Sequence, residues 1–170
     1  DADGICDTGG PSADCSRGIR GQDMCPLSTI GFISHQGNDI DGDGCEDLTE
    51  DFDDDGDGYL DENDGCPMIF GTSSQGGVLG CLDLDGDGWA ESVDAFVYDG
   101  TQWSDIDEDG YGDNADGNDA DGCVSIAGDS LYDRLGCRDS DGDGWSNPDT
   151  AYTAEDGADA FPSDDTQWFD

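Results

Sequence analysis

The chain has no lysine, only four arginines (Arg17, Arg20, Arg134 and Arg138) and a single histidine, His35, against 45 acidic residues among 170. With a formal net charge of -41, nucleic acid is excluded as a partner, because phosphate recognition needs a basic surface. No apolar run approaches a membrane span. The eight cysteines include no Cys-x-x-Cys pair, which with one histidine excludes the usual zinc sets and leaves disulfides in an oxidising compartment. Hydrophobic residues are 33% of the chain, too few for one large core. None of Asn38, Asn63, Asn114, Asn118 and Asn147 begins an Asn-x-Ser/Thr sequon, so N-glycosylation by that route is excluded. A sustained helical period is missing as well, and the segment after Asp94 lacks the apolar spacing of an exiting helix. Short turns and a few strand pairs are expected instead.

What the chain does have is aspartate and glycine in register. Asp83, Asp85, Asp87, Glu91 and Asp94 stand at the first, third, fifth, ninth and twelfth places of a loop with glycine, Gly88, in the sixth. That is the ligand spacing of a twelve-residue calcium loop, in which the seventh residue (here Trp89) offers its backbone carbonyl. Four more stretches repeat the pattern. The first, 39–50, has Asp39, Asp41, Asp43, Cys45, Asp47 and Glu50, and the next, 53–64, has Asp53, Asp55, Asp57, Tyr59, Asp61 and Asp64. The stretch 105–116 has Asp105, Asp107, Asp109, Tyr111, Asp113 and Asp116. The last begins at Asp139 and continues through Asp141, Asp143, Trp145 and Asn147. Its twelfth residue is Thr150, so the distal ligand is left among Asp149, Asp156 and Asp159. Two carboxylates about 4 Å apart repel by roughly 4 kcal/mol at an effective dielectric of 20. Five such groups converging on one point need a cation, so about five or more calcium ions are expected to be part of the fold. A disordered acidic tail would not hold this register or place aromatics at the seventh position.

The loops sit inside a larger repeat. Cys81-Leu82-Asp83-Leu84-Asp85-Gly86-Asp87-Gly88-Trp89 returns as Cys137-Arg138-Asp139-Ser140-Asp141-Gly142-Asp143-Gly144-Trp145, 56 positions on. Downstream, Asp94-Ala95-Phe96 and Thr101-Gln102-Trp103 return as Asp159-Ala160-Phe161 and Thr166-Gln167-Trp168, now 65 positions on from Asp94 to Asp159. The nine extra residues fall within 146–158 and are expected in a surface loop. The organisation read from this is an irregular segment at 1–24, then repeats at 25–80 and 81–136 and a partial repeat at 137–170. Asp1-Ala2-Asp3-Gly4 looks like the tail of a unit, so the chain is expected to be a processed piece of a secreted precursor, cut within the repeat at both ends.

Each time a cysteine leaves an acidic run, a Gly-Cys pair sits in or just ahead of the next loop. Sequential pairing follows from that repetition: Cys25–Cys45, Cys66–Cys81, Cys123–Cys137 and, by elimination, Cys6–Cys15. Closing a loop of about 15 residues contributes roughly 3 kcal/mol in the chain-entropy model. The four tryptophans are expected to pack as small satellite cores over glycine-rich turns rather than to stack on carbohydrate. His35 reads as a loop residue, and no carboxylate pair stands in an apolar pocket that would mark a catalytic acid. Thr72, Ser73, Ser74, Ser125, Ser130 and Thr150 are candidate O-glycan carriers.

The run Asp53-x-Asp55-x-Asp57-Gly58-x-x-Asp61-x-x-Asp64-x-Cys66-Pro67 resembles the thrombospondin type 3 repeat. Prokaryotic relatives of that repeat carry similar Gly-Cys-x-Asp-x-Asp-Gly-Asp-Gly-Trp and Asp-Ala-Phe…Thr-Gln-Trp runs. The resemblance extends from Cys25 to the end and departs from the pattern at Glu108, where glycine is usual, and in the insertion after Trp145. It implies an elongated extracellular or cell-surface chain with little regular secondary structure, wound around calcium ions and stapled by disulfides. The function expected is that of a structural rod in a filament, fibre or stalk that associates with neighbouring repeats, not an enzyme. The alternatives are a calcium-dependent adhesin that binds glycans or protein, and a spacer in a larger secreted protein.

Overall fold

The computed structural model describes Cys25 and residues 32–169. The expected Cys6–Cys15 bridge, and everything read from 1–24, lies outside the described residues. Two compact units form, Asp1–Asp83 and Leu84–Asp170. Among the described residues there is no helix and no strand, only turns, bends and one isolated bridge between Gly112 and Ala120. The expected strand pairs are thus reduced to that bridge. The reason is local: aspartates every second residue spend their side chains on nearby backbone N–H groups, which competes with any ladder.

The interior is mostly polar. Buried apolar side chains are Phe32, Cys45, Cys81, Ala90, Cys137 and Ala158, and three of those six are half-cystines. Buried polar side chains are more numerous and include Asp39, Asp47, Asp54, Asp55, Asp121 and Asp159. Large apolar groups point outward instead, with Leu48 and Tyr98 each 84% exposed.

The three expected disulfides among described residues are present: Cys25–Cys45, Cys66–Cys81 and Cys123–Cys137. The last two, one in each unit, close the same small arm. In the first arm the N–H groups of Thr72 and Ser73 donate to the Cys81 carbonyl, and the Cys81 N–H donates to Ser73 Oγ at 2.8 Å. In the second, Asp129 and Ser130 donate to the Cys137 carbonyl, and the Cys137 N–H donates to Ser130 Oγ at 3.0 Å. Both serines are fully buried, which withdraws Ser73 and Ser130 from the candidate O-glycan carriers.

The tryptophans pack in pairs, all in the second unit. Trp89 stacks on Trp103 with ring centroids 6.0 Å apart, and Trp145 stacks on Trp168 at 5.7 Å. The insertion after Trp145 is exposed at 148–151 but tethered. Arg134 pairs with Asp149 at 2.7 Å, lies over the Tyr152 ring, and donates to the buried Ser146 hydroxyl. His35 is exposed, and its Nδ1 accepts the Gly37 N–H, a loop role as expected.

Candidate metal centres

Each loop wraps by the same set of hydrogen bonds. The first aspartate accepts the N–H of the sixth-position glycine: Gly44 to Asp39, Gly58 to Asp53, Gly110 to Asp105 and Gly144 to Asp139, at 2.7–3.2 Å. The fifth aspartate accepts the N–H of the seventh residue in all five loops, from Cys45, Tyr59, Trp89, Tyr111 and Trp145. These bonds turn the backbone through the left-handed region at the sixth residue, with φ of 92–100° for Gly44, Gly58, Gly88, Gly110 and Gly144. The fourth residue is also left-handed, as at Gly42, Gly56, Gly86 and Gly142. In the remaining loop Glu108 is held there at φ 64°.

The ninth residue clamps the loop shut. Asp47, Asp61, Asp113 and Asn147 accept from the second-position N–H of Ile40, Asp54, Ile106 and Ser140. That bond explains why asparagine serves at position 147 where the other three have aspartate. In the remaining loop the ninth residue is Glu91.

Several of these carboxylates spend one oxygen on backbone and bury the other without a partner, as Asp55 and Asp64 do. Buried oxygens without a hydrogen-bond partner belong to Asp53, Asp55 and Asp64 in one loop and to Asp141, Asp143 and Asp159 in another. Glu50 and Asp51 carry such oxygens in the first loop, Glu91 in the third, and Asp107 and Asp121 in the fourth. A buried, unpaired carboxylate oxygen costs several kcal/mol unless a cation meets it. Ligand atoms of Asp39, Asp41 and Asp43 lie within 4.8 Å of one another, as do those of Asp53, Asp55 and Asp57. The residues therefore fit a hard divalent cation. The disulfide removes any thiolate at Cys45, leaving oxygen as the donor.

Crowding of like charge shows in the protonation equilibria. Desolvation, then the carboxylates of Asp43, Asp51 and Asp39, push Asp41 up to about 7. Burial, then Asp61, Asp47 and Asp51, raise Asp54 to about 6. Asp43, Asp47, Asp55, Asp107, Asp121 and Asp159 are likewise raised, burial first. Asp149 is the reverse case, drawn down to about 2 by its hydrogen bond from Arg134.

These neighbours bring a closing acid to four of the loops. Asp64 faces Asp55, and Asp51 faces Asp41 and Asp43. Asp121 faces Asp109, Asp107 and Asp113, whereas Asp116, the twelfth residue, is exposed. Asp159 faces Asp143, Asp141 and Asp139, while Asp149 and Asp156 are exposed and occupied by Arg134 and Thr153. Of the three acids left open for the last loop, Asp159 is the one brought to it. All five closing acids share one geometry, accepting on Oδ1 from the N–H two residues on: Asp53 to Asp51, Cys66 to Asp64, Phe96 to Asp94, Cys123 to Asp121 and Phe161 to Asp159.

A signal for Asp121, which the spacing missed, and for the choice of Asp159 was in the sequence. Asp64-Gly65-Cys66 recurs as Asp121-Gly122-Cys123, and Asp94-Ala95-Phe96 as Asp159-Ala160-Phe161. The glycines of the Gly80-Cys81 and Gly136-Cys137 pairs make room for the closing acid. A Cβ on Gly80 would meet Asp64 Oδ1 at 2.3 Å, and one on Gly136 would meet Asp121 Oδ1 at 2.5 Å.

No helix among the described residues is long and apolar enough to cross a membrane. No family model matches this chain, and no curated protein matches it.

Proposed function

We propose that this chain is an extracellular structural calcium-binding repeat of the thrombospondin type 3 kind, a subunit of a surface filament, fibre or stalk, with no catalytic role. The observation that carries this reading is the inward-facing set of buried, unpaired carboxylate oxygens in the loops. Calcium suits them because it accepts six to eight oxygens in irregular geometry, whereas magnesium retains its waters and demands an octahedron. The disulfides are compatible with an oxidising, extracellular setting, where calcium is millimolar and modules of this type bind at about 10⁻⁴–10⁻³ M. At ten times the dissociation constant each ion stabilises by about 1.4 kcal/mol. Several such ions take the place of the missing apolar core.

Outward-facing apolar side chains such as Phe169, 77% exposed, favour contact with neighbouring copies over an isolated spacer. Calcium-dependent sedimentation as oligomers would support that part. Saturable binding of a glycan by the monomer, lost on Trp103→Ala, would favour the adhesin reading instead.

The test of the central reading is calcium removal. Native mass spectrometry should count about five or more calcium ions, one for each loop ring. Stripping them with chelator at neutral pH should turn an ordered particle into an expanded, protease-sensitive coil by small-angle scattering. An unchanged scattering curve after complete stripping sinks the proposal.

A further inference from the structure

The first two loops are joined by three acids, of which Asp51 and Asp54 fall outside the calcium-loop spacing. Ligand atoms of Asp47, Asp51 and Asp54 lie within 4.8 Å of one another. Asp54 is the second residue of its loop, a place filled by Ile40, Leu84, Ile106 and Ser140 in the other four. Those side chains have no need to be hidden, and Leu84 and Ile106 are 52% and 66% exposed. Asp54 is turned the opposite way, only 7% exposed, beside Asp47 at 8%. A charged group buried where its counterparts expose hydrocarbon runs against solvation on both counts.

Among the described residues nothing compensates it. Asp54 Oδ1 and Asp51 Oδ2 are buried without hydrogen-bond partners. The other oxygen of Asp51 is taken by the N–H groups of Phe52 and Asp53, and Asp47 Oδ1 by that of Ile40. The one salt bridge among the described residues, Arg134–Asp149, lies in the second unit.

We infer that Asp47, Asp51 and Asp54 form an additional divalent-cation site between the first and second loops, distinct from the ring inside each loop. Three carboxylates with no nitrogen or thiolate donor select a hard cation of the calcium class, with water completing the shell. Asp51 also closes the first ring with Asp43, so its carboxylate is shared and fixes the spacing of two adjacent ions. The site rests on the calcium reading for that shared ligand only.

The test counts calcium by native mass spectrometry on the full oxidised chain, at a concentration that just saturates the parent. Asp54→Ile, which installs the residue of the first loop, and the isosteric Asp54→Asn are compared with Asp141→Asn in the distant last loop. Both Asp54 variants are expected to hold one ion fewer than the parent, and Asp141→Asn also one fewer. If the Asp54 variants keep the parental count while Asp141→Asn loses an ion, the additional site is refuted and the loop reading stands. If the Asp54 variants lose one and Asp141→Asn none, the additional site stands and the last loop's ring does not. Loss of two or more ions in both Asp54 variants also overturns the proposal, since Asp54 would then be bracing its neighbours. Should Asp54→Ile fail to form native disulfides, Asp54→Asn decides alone.

Discussion

The loops that begin at Asp53 and Asp105 build the same cage from unequal lengths of chain. The first closes at Asp64, eleven residues on, with a continuous run of loop positions. The second closes at Asp121, sixteen residues on, and the loop from Asp139 closes at Asp159, twenty on. In each the wrap through the first seven residues is the same, and the closing acid accepts from the N–H two residues further along. What differs is the spacer, and the spacer is held by side chains brought from elsewhere. Gln102, 1% exposed, fills the longer loop: its Nε2 donates to the carbonyls of Asn114 and Asn118, and its Oε1 accepts the Asn114 N–H. The Gln167 side chain donates to Asp164 nearby. The cage is thus fixed at its two ends, and the chain between them is free to vary if something plugs it.

The largest effect that should separate cage from spacer is the response to pH. The raised values mean that the metal-free fold holds more protons than the unfolded chain between the ordinary 3.8 and about 7, the value for Asp41. Stability of the stripped protein is therefore greatest below about pH 4 and declines as pH rises toward 7. Calcium has to displace those protons, so its affinity rises across the same window. Melting temperature against pH should fall in chelator and climb in calcium. Parallel curves would mean that the raised carboxylates are not the ligands.

Next in size are the closing acids. Asp121→Asn should weaken calcium at its loop at least tenfold, about 1.4 kcal/mol, while Asp116→Asn leaves the titration where it was. Equal effects of the two would restore the twelve-residue count. A smaller loss is expected of the plug. Gln102→Ala strands the Asn114 and Asn118 groups and should cost about 2–3 kcal/mol in the local opening of 105–121, read by hydrogen exchange, with the ion retained. Gln167→Ala should stay within about 0.5 kcal/mol by the same measurement. The smallest change is a gain. Glu108→Gly relieves a left-handed glutamate and should raise stability in saturating calcium by up to about 1 kcal/mol, since its N–H bond to Asp105 is retained. A lower melting temperature would show that the Glu108 side chain contributes something the backbone does not.

The parts of this molecule that were legible in the sequence are those set by short-range rules. Alternate aspartates and glycines dictate the wrap of each loop, and Gly-Cys repetition dictates the pairing at Cys45, Cys81 and Cys137. The closing acids Asp51, Asp121 and Asp159 were not fixed by counting, because a ring closed across space does not care how many residues bulge outside it. Asp54 could not be distinguished from its solvated neighbours, since an off-register acid looks the same whether it faces water or the interior. Gln102 was hidden for a related reason: the Thr-Gln-Trp run does not show that its amide reaches the carbonyls of Asn114 and Asn118.

The stacked tryptophan pairs make the protein its own optical reporter, but of one half only. All four indoles lie beyond Leu84, so emission and exciton-coupled circular dichroism follow the ordering of Leu84–Asp170 and are blind to the acid-linked loops at 39–64. A titration followed by indole fluorescence would plateau when the loops after Leu84 are filled, whatever the state of the others. Set beside a total ion count, the offset between the two curves would rank the halves by affinity without a single substitution.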